Sequence, residues 1–247
     1  MIRVLAFLLI LAACTPVQPA ATPTRALKPV IVSLTFDDGD ADNFALLPVL
    51  QQYGLHATFY IPSGLVGKPN YMTWEQLKAL RAAGNEIGGH SFDHTRLGGL
   101  DAAQLQHEIC DDRQNLVAHG FLPVSFAYPF GNYDASAHEM VKQCGYTGAR
   151  TIAGGPQRFP LSDPYAVRAM PYVVSDTDLG KMQRYVTGSR SEGAGWVVLI
   201  FHHVCDSCDY YAVRADILNQ LIHWLARQQT LGSVNVETFG EGLRAAK

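Results

Sequence analysis

Short apolar runs alternate with helix-like segments along nearly the whole chain, and this alternation constrains the fold more than any other feature. The run Val30–Phe36 is almost continuously apolar, which is typical of a parallel strand covered on both faces. Seven later segments are also predicted as strands, with helices between most of them: 57–61, 86–89, 124–128, 146–149, 167–174, 196–201 and 234–236. Repeated strand–helix units predict an α/β fold with a mainly parallel sheet.

This number of units within residues 30–247 suits a closed or nearly closed (β/α) barrel of about seven parallel strands in a single domain. An open doubly wound sheet is the alternative, but the glycine-rich phosphate loop usual after its first strand is missing. The chain has 247 residues, 48% of them apolar, so it can bury a substantial core. Its formal net charge of −3 argues against a nucleic-acid partner that requires a basic surface.

The N-terminus has the pattern of an export signal over residues 1–13. Arg3 precedes the apolar run Val4–Ala13, which is too short for a membrane-spanning helix of about 20 residues. The sequence before Cys14 resembles a bacterial lipoprotein cleavage box, in which the cysteine is lipidated and becomes the new N-terminus. A simple secretory signal with an incidental cysteine is the alternative. We expect an exported protein, held by this lipid on the bacterial cell membrane or outer membrane and facing outside the cytoplasm.

Residues 14–29 are rich in Pro, Ala and Thr and predict an extended tether, so that residues 30–247 form the folded domain. Export permits disulfides, and a Cys110–Cys144 bridge would join two consecutive predicted helices. Cys205 and Cys208 form a CxxC pair, for which a local Cys205–Cys208 disulfide is favoured over a zinc or redox site.

Polar clusters follow four of the predicted strands directly. They are Asp37-Asp38-Gly39, His90-Ser91-Phe92-Asp93-His94, Pro129-Phe130-Gly131 and His202-His203. In an α/β barrel the carboxyl ends of the strands converge on one face, where active sites lie. We therefore expect these distant segments to meet in one pocket.

The residue types in these clusters suit metal-assisted hydrolysis. Two imidazoles four residues apart and one carboxylate give three ligands with open positions, which is the pattern of a catalytic metal site. Such a metal lowers the pKa of a bound water to roughly 7 and polarises a carbonyl. The adjacent carboxylate can act as a general base, and His202 as a general acid. His203 would point away from His202 on a continued strand.

The same segments resemble the motifs of the polysaccharide deacetylases of carbohydrate esterase family 4, the nodulation-deacetylase homology domain. Thr35–Gly39 looks like the first motif, and Gly84–His94 resembles the second, whose core is His-Ser/Thr-x-x-His. Phe126–Gly131 is similar to a variant of the third, and Leu199–His202 resembles the last. The resemblance covers nearly all of the folded domain, from about residue 30 to about residue 238.

The resemblance implies a distorted (β/α) barrel, a divalent metal and removal of acetyl groups from N-acetylated sugars or acetylated xylan. Zinc is the expected metal, with cobalt, manganese or nickel as alternatives. Carried over by position, Asp37 would be the general base, His202 the general acid, and Asp38, His90 and His94 the metal ligands.

Further roles follow from the resemblance. The backbone N–H of Phe130 would help to bind the oxyanion, and Leu199 and Phe201 would shape the pocket for the acetyl methyl. The third motif usually opens with an arginine that orients the base, but Ala127 stands there. Arg168 is a candidate substitute, and an ordinary surface arginine is the alternative.

The family's usual fourth motif supplies an Asp and a Trp that support the acid. Asp176 and Asp178 lie in that region, without a tryptophan beside them. We expect a lipid-anchored, metal-dependent hydrolase that releases acetate from an acetylated polysaccharide or oligosaccharide. The alternatives are a carbohydrate-binding lipoprotein on a degenerate deacetylase scaffold, motivated by the missing arginine, and a hydrolase of another C–N bond, such as a cyclic amide.

Overall fold

The computed structural model describes Ile2 and residues 28–191 and 193–246. The predicted signal, Cys14 and most of the tether therefore lie outside the described residues. Among the described helices, none is both long and apolar enough to cross a bilayer.

Eight strands lie within the described ranges, and each pairs in parallel with its neighbours. They are β1 (Val30–Phe36), β2 (Thr58–Ile61), β3 (Glu86–Gly89), β4 (Ser125–Ala127), β5 (Gly148–Gly154), β6 (Val167–Ala169), β7 (Trp196–Phe201) and β8 (Val234–Val236). The α-helices are α1 (Leu47–Tyr53), α2 (Trp74–Ala82), α3 (Ala102–Leu105), α4 (Asp112–Ala118), α5 (Ala135–Gln143), α6 (Leu179–Gly188), α7 (Ala215–Thr230) and α8 (Phe239–Ala245). Short 3-10 helices cover Ala41–Leu46 and Pro129–Gly131, and a π-helix covers Gln106–Asp111.

The strand order is β6-β5-β4-β3-β2-β1-β7, with β8 added beside the first half of β1. The segment after β6 reaches the far edge of the sheet, where the N–H of Met170 donates to Val198 O at 2.9 Å and that of Val173 to Ile200 O at 3.0 Å. These bonds bring the ends of the sheet together. The predicted distorted barrel of about seven parallel strands, in a single domain, is confirmed.

The strands separate two apolar layers because successive side chains of a strand point to opposite faces. Tyr60, Ala127, Trp196, Val198 and Ile200 belong to a cluster that fills the barrel. The alternate residues of β1, β2 and β7 pack with the buried faces of the helices in a second, larger cluster. All seven residues of β1 are buried, as expected for a central parallel strand.

The helix starts follow their capping signals. A capping box formed by Thr73 and Gln76 begins α2, and Asp101 caps α3 with Gln104 in the same way. The helical segment after Asp101 is divided by the π-helix Gln106–Asp111 into α3 and α4. The side chains of this π-helix contact the functional site, as described below.

Two strands differ from their predicted bounds by more than one residue at an end. The strand expected at residues 146–149 lies at Gly148–Gly154, and the one expected at 167–174 ends at Ala169. Helices α6 and α8 were not predicted. The structure also pairs Cys110 with Cys144 and Cys205 with Cys208 as disulfides.

Candidate active site

One carboxylate and two imidazoles converge at the carboxyl edge of the barrel. Asp38 is the second residue after β1, and His90 is the first after β3. Asp38 Oδ1 lies 3.2 Å from His90 Nε2 and 3.0 Å from His94 Nε2. The three groups form a set whose ligand atoms lie close enough to hold one metal ion. The sequence-predicted ligands are therefore brought together.

The tautomer of His90 indicates what these atoms require. His90 Nδ1 lies 2.7 Å from the carbonyl oxygen of Ala127, which can only accept, so Nδ1 carries the hydrogen. The neutral ring then directs the lone pair of Nε2 at Asp38 Oδ1, which is also an acceptor and is buried without a donor among the described residues. Two acceptors that face each other at this distance need a cation or a proton between them. The donor set thus fits a divalent metal, and the Ala127 carbonyl orients the ligand as outer-shell groups commonly do.

The charges in this set also favour a cation. When protons rather than a metal occupy this gap, the imidazoles of His90 and His94 donate to Asp38 and hold the pKa of its carboxyl far below the ordinary value, although burial alone would raise it. Burial alone would lower the pKa of His94, but its hydrogen bond to Asp38 raises the pKa above the ordinary value. The carboxylate is therefore ionised, and its negative charge favours a cation, either a proton or a metal ion, at the point where the three groups meet.

The second carboxylate, Asp37, is paired with an arginine inside the barrel. Asp37 is 3% exposed, and its Oδ1 accepts a hydrogen bond from the guanidinium of Arg150 in β5, which is fully buried. The guanidinium also lies 5.0 Å from the centre of the Tyr60 ring. A buried ion pair of this kind fixes the carboxylate in one orientation.

The structure corrects the expectation that Arg168 supports the base. Arg168 is exposed on β6, and its side chain packs against Gly154. Arg150 takes this position because it pairs directly with Ala127 in the register of β4 and β5, so both lie at one level of the barrel. The small side chain of Ala127 leaves room for the guanidinium. Sequence reasoning missed Arg150 because the strand predicted at residues 146–149 ended one residue too early.

The third chemical group, His202, follows β7 and lies beside Asp37. His202 Nε2 is 3.9 Å from Asp37 Oδ2, while its Nδ1 is buried and has no partner among the described residues. Burial lowers the pKa of His202 below its ordinary value. The rings of Tyr172 and Tyr211 each lie 5.3 Å from the imidazole and position it.

The expected supporting aspartates do not reach His202. Asp178 is exposed and caps α6, where its side chain accepts from the N–H of Lys181 at 2.6 Å. Asp176 is also exposed, in the turn before that helix. The rings of Tyr172 and Tyr211, rather than the aspartate of the family's fourth motif, lie beside the His202 imidazole.

Comparison with known proteins places the chain in a family. A family model described as Polysaccharide deacetylase matches residues 24–149, about half of the chain. The chain belongs to the polysaccharide deacetylase family. The match contains Asp37, Asp38, His90 and His94 and ends one residue before Arg150.

Individual relatives agree with this family. YxkH of Bacillus subtilis, a candidate polysaccharide deacetylase, is 32% identical over 151 residues, which are 58% of this chain and 53% of YxkH. A peptidoglycan-N-acetylglucosamine deacetylase of Bacillus cereus is 28% identical over 118 residues, 47% of this chain and 54% of the relative. The chain thus spans just over half the length of these two relatives.

The fold is shared with a solved member. A candidate polysaccharide deacetylase from Mycobacterium smegmatis superposes with a TM-score of 0.68 at 17% sequence identity, over 94% of each chain. This likeness extends the comparison beyond the residues of the family match to the whole barrel, including β5 and β7.

Two of the residues expected to shape the deacetylase pocket face the other way. Leu199 and Phe201 belong to the layer between strands and helices, and the Phe201 ring stacks on Phe36 with centroids 5.0 Å apart. The alternation of β7 instead directs Ile200 into the barrel, immediately below His202. Ile200 is thus the apolar residue of β7 that is placed to line the pocket.

Phe130 lies beside His94, one of the three candidate ligands. Its backbone has a left-handed conformation with φ 57°, and its ring is 4.6 Å from that of His94. Arg96 covers the Phe130 ring, with its guanidinium carbon 4.3 Å from the ring centre. The role of the Phe130 N–H at an oxyanion remains a prediction.

His203 is separated from this chemistry. Its Nδ1 lies 2.9 Å from Asp42 Oδ2, and the N–H of Val204 donates to Asp42 Oδ1 at 3.2 Å. Asn43 completes the attachment by donating to the carbonyl oxygen of His202 at 2.7 Å. These bonds tie the segment after β7 to the 3-10 helix after β1, which keeps His202 next to Asp37.

Proposed function

We propose that this chain is a metal-dependent deacetylase that hydrolyses acetyl groups, foremost N-acetyl groups, of an envelope or environmental polysaccharide and releases acetate. The observation that carries the proposal is the pair of facing acceptors, His90 Nε2 and Asp38 Oδ1, with the carboxylate of Asp37 and the imidazole of His202 beside them. Zinc suits one carboxylate and two imidazoles, and cobalt, manganese or nickel are alternatives.

The residues around the metal position divide the proton transfers between them. A divalent metal held by Asp38, His90 and His94 would polarise the acetyl carbonyl and acidify a water. Arg150 occupies Oδ1 of Asp37, so Oδ2 is left to take the proton of the attacking water. His202 Nε2 lies 3.9 Å from this oxygen, so one bridging water or a small approach of the two groups would pass the proton to the imidazole.

His202 then acts as the acid. Because burial lowers the pKa of its imidazole, the ring is neutral near pH 7 in the resting protein and donates only after it has received a proton. The charged ring gives that proton to the departing amine or alkoxide. Ile200 would contact the acetyl methyl, and the Phe130 N–H would help to bind the developing oxyanion.

Arg150 also bears on the binding-protein alternative. That alternative rests on the missing arginine of the third motif, and a buried arginine in contact with Asp37 removes this reason. Hydrolysis of a cyclic amide has no observation of its own in favour of it.

An acetate-release assay tests the proposed function. The purified protein, supplied with zinc or cobalt, is expected to release acetate from chitooligosaccharides, acetylated xylan or peptidoglycan, with metal content measured on the same sample. A chelator should abolish release, and added metal should restore it. Glycan binding without acetate under every metal would favour the binding protein, and a ring-opened product without acetate would favour the cyclic-amide hydrolase.

We also propose that residues 1–13 are removed, that Cys14 is lipidated, that residues 14–29 form the tether and that residues 30–247 are the catalytic domain outside the cytoplasm. The supporting observation is the cleavage-box resemblance before Cys14. The full chain, expressed in a bacterium, is expected in the membrane fraction, and the Cys14→Ala variant is expected to leave it. Equal membrane association of both would contradict lipidation.

A further inference from the structure

The loop that carries the two histidine ligands has an unfavourable backbone that something must hold. In this ligand loop, residues 90–95, both Ser91 and His94 adopt left-handed conformations, with φ 64° and 58°. Side chains other than glycine rarely adopt this region, so the loop depends on contacts from its surroundings. Within the loop, the N–H of Thr95 donates to Ser91 Oγ at 3.2 Å.

Glu108 supplies the main contact from outside the loop. Its Oε2 accepts the backbone N–H groups of Phe92 and Asp93, each at 3.1 Å. These two residues lie between the ligands His90 and His94. The side chain is 6% exposed, and it forms no ion pair with a lysine or arginine in the described part of the chain. A buried carboxylate bonded to two adjacent amides forms strong, charge-assisted hydrogen bonds and fixes their direction.

The helix that carries Glu108 supports the neighbouring loop as well. Glu108 lies in the π-helix Gln106–Asp111, and such segments frequently occur at functional sites. Four residues later, Asp112 Oδ1 accepts the N–H of Ser63 at 3.0 Å. The next amide, that of Gly64, donates to Phe92 O at 2.9 Å. A Cβ on Gly64 would come within 2.6 Å of the Phe92 ring, so the two loops are in close contact.

We propose that Glu108 is a positioning residue of the metal site. By holding the amides of Phe92 and Asp93, its carboxylate sets the curvature that turns His94 toward the point where His90 and Asp38 meet. The role differs from that of a ligand, because Glu108 binds the backbone between the ligands. The inference rests on the proposed metal centre, and the experiment below separates the failure of one from the failure of the other.

The test measures zinc affinity on metal-free protein, by competition with a chromophoric chelator, together with the thermal midpoint of the metal-free form. Glu108→Ala is expected to weaken zinc binding by about 10- to 100-fold, the usual effect of losing a group that orients ligands. Glu108→Gln, which retains a neutral acceptor, is expected to weaken it by about 3- to 10-fold. Gln106→Ala is the matched control, since Gln106 lies in the same π-helix and its side chain is exposed. It is expected to bind zinc as the wild type does.

The outcomes are distinct. Zinc affinity equal to wild type in folded Glu108→Ala overturns the proposal, even if the thermal midpoint falls, because stability alone would then be its contribution. If Glu108→Ala does not fold, Glu108→Gln decides, and unchanged affinity there overturns the proposal. A wild type that binds no zinc, cobalt, manganese or nickel would instead overturn the metal centre of the proposed function.

Discussion

Asp37→Asn is expected to lower turnover by about 100- to 10,000-fold while the protein still binds its metal, because the variant removes a general base that is not a ligand. His90→Ala, in contrast, is expected to lose metal binding, and turnover is lost with it. It removes an imidazole that faces Asp38, so zinc affinity should fall by more than the about 100-fold typical of losing a supporting group. Metal content, zinc affinity and acetate release are measured on the same preparations.

The control for these two variants is His138→Ala. His138 is half-buried like several site residues, but it pairs with Asp163 at 2.8 Å, outside the candidate site. Turnover and metal content should match those of the wild type. Equal metal content and equal rates in Asp37→Asn and His90→Ala would contradict the division of roles between the two adjacent aspartates and the histidine pair.

Arg150→Ala should be the most damaging substitution inside the barrel. It leaves Asp37 buried without its cation, and breaking a buried ion pair costs about 3–5 kcal/mol of unfolding free energy. Turnover should fall too, since the base loses its fixed orientation. Denaturant unfolding and acetate release measure the two effects.

Moving the arginine from β5 to β4 tests whether its height inside the barrel, rather than the strand that carries it, is what Asp37 requires. Ala127 and Arg150 are directly paired across β4 and β5, so the double variant Ala127→Arg/Arg150→Ala returns the guanidinium to the strand where the family usually carries it. We expect the swap to recover much of the stability and turnover lost in Arg150→Ala. A double variant no better than Arg150→Ala alone would show that the register is not the reason for the substitution.

The fold was largely predictable because parallel strands with both faces covered leave a strong sequence signal. Val30–Phe36, Glu86–Gly89, Trp196–Phe201 and Val234–Val236 have the predicted bounds. The predictions were less accurate where the strand is not continuously apolar. In β5 a buried arginine interrupts the pattern, and the polarity of that residue is understandable only from its partner Asp37, which lies 113 residues away in the chain.

The same distinction between predictable and unpredictable residues holds for the candidate active site. Residues within contiguous motifs, such as Asp38 and the histidines at 90 and 94, could be placed together from spacing and strand ends. Partners supplied by other elements could not be predicted, because no local pattern distinguishes Glu108 from an ordinary helical glutamate. The side-chain directions of Leu199 and Phe201 were misassigned for a simpler reason, since the two-residue period of β7 points them to the helices.

The pairing of Ala127 with Arg150 has a consequence for how relatives are judged. Two side chains that are paired across neighbouring strands lie at one height inside the barrel, so either position could supply the same charge, although the two are far apart in an alignment. A homologue that lacks the arginine of the third motif should not be classed as inactive until the facing position of the adjacent strand has been inspected. Such an inspection requires only the strand register, so it can be applied to any relative whose barrel can be built.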